Sequence, residues 1–148
     1  MFDRRIVIRA ATDFIEDQNV THYFTLTYPT RRSWEARYKA FHEWIDGIEW
    51  LQRQPLGWFR ADEMLRFSGL GFPEIPEHHH GLLVGTPHLC CRTAENTWRH
   101  FGDARVEPYE RNGGAVPYCL KQCFSKCGDW DFGGKALKPY DHATRYTK

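Results

Sequence analysis

An α+β sandwich, an antiparallel sheet covered by helices, is the fold the sequence predicts. Three observations predict it. Short runs rich in aromatic and β-branched residues alternate with stretches of helical hydrophobic period. These runs are joined both by helices and directly, in the order β-α-β-β-α-β-α. The 148 residues, 41% of them hydrophobic, suffice for one domain with a core and are too few for two, so residues 1–148 are read as a single domain.

The elements follow in order. Arg5–Ala10 reads as an edge strand. His22–Tyr28 is a strand that stops at Pro29. Trp34, Tyr38, Phe41, Ile45, Ile48 and Leu51 recur at three- and four-residue steps and form one helical stripe. Thr30 or Ser33 can cap that helix, Glu35 suits its dipole, and Pro55 and Gly57 end it. Trp58–Glu63 is a second strand, and Ser68–Pro76 is a loop. His78–Val84 is a third strand, and Gly85–Pro87 turns the chain. Thr93 caps a short helix, Ala104–Glu110 is a fourth strand, and Val116–Lys126 is a last helix with Pro117 in its first turn. From Gly128 onward the chain reads as irregular.

A net charge of +1 neither calls for nor excludes a nucleic-acid partner, because a basic patch can be local. Arg4, Arg5 and Arg9 near the start, and Lys135, Lys138, Arg145 and Lys148 near the end, fit either a solvated surface or a path for phosphates. The five cysteines follow no secretory signal, and no run is long enough to span a membrane. A reducing, cytoplasmic setting with free thiols is expected.

Three features carry chemistry. Strand alternation puts His78 and His80 on one face and His79 on the other, and two imidazoles so placed can bind one divalent ion. A hairpin brings Glu63 beside them as a carboxylate ligand, a part that Asp62 or Glu77 could take instead. The plain alternative is a surface histidine cluster. On the last helix, Tyr118, Lys121, Gln122 and Ser125 share one face, and Cys119, Leu120, Cys123, Phe124 and Cys127 the other. The cysteines therefore read as core packing, since their spacing matches no common zinc pattern. Tyr118 alone reads as a half-buried tyrosine. With a metal to withdraw charge from a phosphodiester and a lysine one turn along, it reads as a nucleophile.

Together these features resemble the replication-initiator (Rep) branch of the HUH endonucleases of rolling-circle plasmids and single-stranded DNA viruses. Phe24-Thr25-Leu26-Thr27-Tyr28-Pro29 resembles the family's first motif, which helps contact DNA. His78-His79-His80-Gly81-Leu82-Leu83-Val84 resembles the metal strand, and Tyr118-Cys119-Leu120-Lys121 resembles the YxxK motif. Glu63 falls where the family's acidic ligand is expected. The resemblance implies a ferredoxin-like or RRM-like sandwich, with Tyr118 and Lys121 catalytic and His78, His80 and Glu63 holding Mn2+ or Mg2+. It also implies DNA contacts at Thr25, Thr27, Tyr28 and Arg60. The implied activity is sequence-specific nicking and joining of single-stranded DNA at a replication origin, expected as a hairpin, through a covalent 5′-phosphotyrosine. No GxxxxGK[ST] loop occurs, so a helicase domain is not expected and a host helicase becomes a candidate partner. A eukaryotic virus would place the protein in the host nucleus.

Tyr118 with Gln122 also reads as YxxxQ, the pattern of single-tyrosine transposases, where the glutamine binds metal. A non-catalytic RRM-like RNA-binding module and a water-using phosphohydrolase are the other readings. The RNA-binding module predicts exposed aromatics where the histidines lie.

Overall fold

Buried and partly buried residues alternate along Val20–Thr27, and the buried ones include Phe24 and Leu26. That period-two pattern makes this segment the core of a sheet. The computed structural model describes residues 3–63, 78–111, 113–123 and 128–138, with the side chains of residues 4, 63, 121–123, 128 and 129 left aside. The elements are α1 (Arg4–Glu16), β1 (Val20–Thr27), α2 (Trp34–Gln52), β2 (Gly57–Glu63), β3 (His78–Val84), α3 (Cys91–Trp98), β4 (Ala104–Pro108), α4 (Ala115–Cys123) and β5 (Gly128–Gly133).

The sheet order is β4-β1-β3-β2-β5, with every neighbouring pair antiparallel. The first four strands with α2 and α3 form two interleaved β-α-β units, the ferredoxin-like arrangement. The protein is thus an α+β sandwich, as the sequence predicts. Each face of the sheet has its own core. Phe24, Leu26, Trp58 and Leu83 pack with Phe41, Trp44 and Ile48 of α2 and with Ala94 and Trp98 of α3. On the opposite face Phe59, Ala61 and Leu82 pack with Ile15 of α1 and with Val116, Cys119 and Leu120 of α4.

Ser33 is the cap of α2, its hydroxyl accepting from the Ala36 amide at 3.2 Å. The buried stripe of α2 runs through Arg37, Ala40, Phe41, Trp44, Ile45 and Ile48, so the expected stripe holds in its middle. Its ends differ: Trp34, Tyr38 and Leu51 are exposed. α3 begins at Cys91, with Cys90 rather than Thr93 at the cap position. Trp44 Nε1–H donates to the Ala94 carbonyl at 2.9 Å, and Trp98 Nε1–H to the Thr27 carbonyl at 3.2 Å, which tie α2 to α3 and α3 to the sheet's inner face.

Two expectations are corrected. Arg5–Ala10 belongs to a helix, not an edge strand. Asp3 caps it, accepting from the Arg5 amide at 2.9 Å, and Ile8, Ala11, Phe14 and Ile15 recur at helical spacing against the core. The β-branched run Ile6–Ile8 suggested a strand only because that window is shorter than two helical turns. Gly128–Gly133 is likewise not irregular, for it forms β5, which pairs with β2 from Trp58 to Glu63. Its glycines and aspartates argue for a loop, and pairing with a well-formed neighbour overrides them. Ser68–Pro76 lies outside the described residues.

Gly81 in mid-β3 marks a close approach. A methyl group there would overlap the Phe59 carbonyl oxygen and the rim of the Phe24 ring, so no larger residue fits while Phe24 fills the core.

Candidate active site

β3 is paired on both edges, with β1 and β2, so its side chains alternate strictly between the faces. His78 and His80 fall on the α4 side, their ring centroids 4.2 Å apart. His79 falls on the other side. The separation that the sequence predicts for the three histidines is therefore present.

His80 is the better-fixed ligand candidate. Its Nδ1 lies 3.2 Å from Thr25 Oγ1 and 3.3 Å from the Tyr23 hydroxyl, both supplied by β1. Thr25 stands directly opposite His80 in register, which is why its short side chain reaches. The residue is only 5% exposed, and its Nε2 is buried with no hydrogen-bond partner. Burial, helped by the neighbouring His78 and His79, pushes its pKa down to about 4. A neutral ring whose Nδ1–H is donated to β1 keeps a lone pair at Nε2, and that is what a metal ligand needs. An orphaned nitrogen in a polar site is otherwise costly.

Tyr118 completes the group. Val116, Cys119 and Leu120 anchor α4 in the core, and this rotation leaves Tyr118 44% exposed, its ring edge-on to His80 at 5.1 Å between centroids. Cys119 is a buried thiol, as the helical stripe implies, while Phe124 to Cys127 lie outside the described residues. Lys121 and Gln122 follow on α4.

Glu63 pairs directly opposite His78, the register that a metal-binding acid needs. Among the described side chains no group of three or more His, Cys, Asp or Glu converges, so the imidazole pair is what the described side chains supply. Thr27 stands opposite His78 and donates its hydroxyl to the Asp103 carbonyl at 3.2 Å. Tyr23, which the sequence reading passed over, contacts His80 from the same strand face as Thr25. Its place two residues before Thr25 in an alternating strand is the signal for it.

Three expectations do not hold. Tyr28 and Arg60 are buried on the opposite face, so neither is offered to DNA crossing the histidine side. Asp62 cannot stand in for Glu63, because it points to the α2 side and contacts His79. Glu77 lies outside the described residues. Instead, these residues form a buried polar chain. His79 Nδ1 meets the Asp62 carboxylate, and the other carboxylate oxygen lies 3.2 Å from Arg60 Nε. The Tyr28 hydroxyl lies 2.6 Å from His79 Nε2 and 3.2 Å from the Arg37 carbonyl, so its single proton goes to the nearer nitrogen of a neutral ring. Arg60 is boxed by the rings of Phe41 at 4.8 Å and of Trp34, Tyr38 and Trp58 at 5.6 Å each, which explains why Trp34 and Tyr38 stay at the surface.

Burial lowers the pKa of His22, His42, His79 and His80, for His79 against the pull of Asp62. Below the ordinary histidine value near 6.5 the unfolded chain binds protons that the folded chain refuses, so this part of the stability is complete above that pH and lost below it. The urea midpoint is expected to be highest near neutral pH and to fall between about pH 6.5 and 4. A midpoint that rises on acidification across that window contradicts the assignment of neutral buried rings.

No family model matches the chain, and no curated protein or solved structure matches it. Among the described residues, no helix is long and apolar enough to cross a membrane.

Proposed function

We propose that this protein is a metal-dependent, single-tyrosine endonuclease that nicks and rejoins single-stranded DNA, with Tyr118 as nucleophile. The observation that carries the reading is the meeting of Tyr118 with His80 beside His78, the His80 Nε2 buried and without a hydrogen-bond partner. A tyrosine from a peripheral helix and two imidazoles from a central strand converge on one patch of sheet, in the arrangement that the resemblance to Rep nucleases implies.

His78 and His80, with Glu63 as the candidate acid, would hold the divalent ion, Mn2+ or Mg2+. When bound, such an ion withdraws charge from the scissile phosphate. The chain's own residues do the rest. Thr25 and Tyr23 fix the His80 ring. The Tyr118 oxygen loses its proton and attacks phosphorus, the bond from phosphorus to the 3′ oxygen breaks, and that oxygen leaves as a protonated 3′-hydroxyl. One phosphoester replaces another, so rejoining by the reverse step needs no outside energy. Lys121, one turn along α4, is the cation the resemblance assigns to the developing charge. A replication-origin hairpin as substrate and a host helicase as partner belong to the same reading.

The rival with an observation of its own is a non-catalytic single-strand binder. Trp130 and Phe132 of β5 are exposed and lie nearly parallel, with centroids 6.0 Å apart, a surface on which bases stack. Incubation with a randomised single-stranded DNA pool and manganese separates the two. The nuclease leaves a DNA-protein adduct that survives denaturing electrophoresis and is lost with chelator. Binding without adduct, or cutting without attachment, rejects the proposal.

A further inference from the structure

Between Tyr118 and the end of β4 lies a cavity of about 610 Å3. This is within the range of small-ligand sites. Its aromatic walls are Tyr23, Tyr109 and Tyr118, and Gly113 and Gly114 contribute bare backbone. Among the described residues, the charged ones lining it are Glu107 and Glu110, with no lysine or arginine. Arg105, from outside the cavity, holds Glu107 by Oε1, with Nη2 at 2.6 Å and Nε at 2.8 Å. Glu110 is solvent-exposed two residues past the end of β4, and its carbonyl accepts the Gly113 amide at 3.0 Å.

From this we infer that the cavity holds the base of a nucleotide flanking the scissile phosphate and selects bases that carry an exocyclic amine over thymine; the inference rests on the nicking proposal for its orientation. Tyr118 is the shared wall, its ring standing against His80 and also lining the cavity, so a nucleotide joined to the attacked phosphate reaches it. With Glu107 paired to Arg105, Glu110 is the carboxylate that repels the phosphodiester, and no cation among the described lining residues attracts it, which leaves the backbone to the histidine side. Tyrosine faces accept any base by stacking. Carboxylates discriminate by the base edge, because they only accept hydrogen bonds. Cytosine, adenine and guanine each present an amino donor. Thymine presents two carbonyls around its single N–H and meets the carboxylates with like partial charge.

The test is equilibrium binding, by fluorescence anisotropy, of oligo-dC and oligo-dT strands of equal length to the full chain and to the Glu107→Gln, Glu110→Gln double variant. Both side chains are at the surface, so the fold is retained. The expected result is roughly tenfold tighter binding of the dC strand by the wild type, narrowing to about twofold or less in the variant, whose amides can donate to thymine. Equal binding, tighter dT binding, or a preference unchanged in the variant overturns the inference. Adduct formation on the randomised pool is read in parallel. Adduct without base preference rejects the cavity's role and leaves the nuclease. Base preference without adduct rejects the nuclease and leaves a base-selective single-strand site.

Discussion

Tyr118→Phe is expected to abolish covalent attachment of DNA, by roughly 10^4-fold or more, while leaving the fold and strand binding in place. The substitution removes one oxygen. The ring that stands against His80 remains, and since Tyr118 is at the surface no core contact is lost. In the two other tyrosines of the same region burial disfavours the phenolate. Burial pushes the Tyr23 pKa up to about 12, and burial also raises that of Tyr109. Tyr23 is nonetheless the competitor that matters, because its hydroxyl lies 3.3 Å from His80 Nδ1. The measurement is the adduct on a denaturing gel, with the modified peptide mapped by mass spectrometry. An adduct on Tyr23 in either protein, or an undiminished adduct in the variant, ends the case for Tyr118.

The second large effect lies on the other face. Asp62→Ala should cost about 3–5 kcal/mol of folding stability, the range for breaking a buried ion pair from one side. Arg60 and Asp62 are 1% and 0% exposed, so the guanidinium left behind cannot reach water, and His79 loses the acceptor of its Nδ1–H. Asp62→Asn keeps an acceptor for His79 but not the charge that offsets Arg60, and falls between. Urea unfolding at neutral pH measures the loss. A change below about 1 kcal/mol would mean that Arg60 is held by its aromatic box rather than by the carboxylate. The same variant separates the two roles considered for Asp62. A metal ligand would lose manganese affinity with little change in unfolding, whereas a core anchor does the reverse.

Much of this arrangement is legible in the chain itself, because it rests on the two elementary periods. Alternation along β3 separates His79 from its neighbours, and the helical period on α4 separates Tyr118 from Cys119 and Leu120. The same parity argument, carried one step further, places Arg60 with Trp58 and Asp62, and Tyr28 with Phe24 and Leu26, on the inner face. A motif match drew both toward DNA and hid that parity. Other features are not local. β5 owes its existence to the open edge of β2, and the Glu107 carboxylate gains its place by standing opposite Tyr23 across β4 and β1. Register of that kind is a property of pairing and cannot be read from either segment alone.

The place of β3 between two fully paired neighbours has a kinetic meaning. Backbone amides in the middle of a sheet exchange with solvent only when the whole domain opens, while elements docked by few side chains open alone. The amides of β1 and β3 should therefore exchange slowest. Those of α4, held through Val116, Cys119 and Leu120, should exchange at a smaller opening free energy. Deuterium uptake followed by mass spectrometry reads this directly, and equal protection of the two would deny it. On the expected result the imidazoles would be carried by the most persistent part of the molecule and the phenol by one that opens more readily. A DNA end bonded to Tyr118 would travel with α4, leaving and re-entering the histidine patch while the sheet beneath it stays closed.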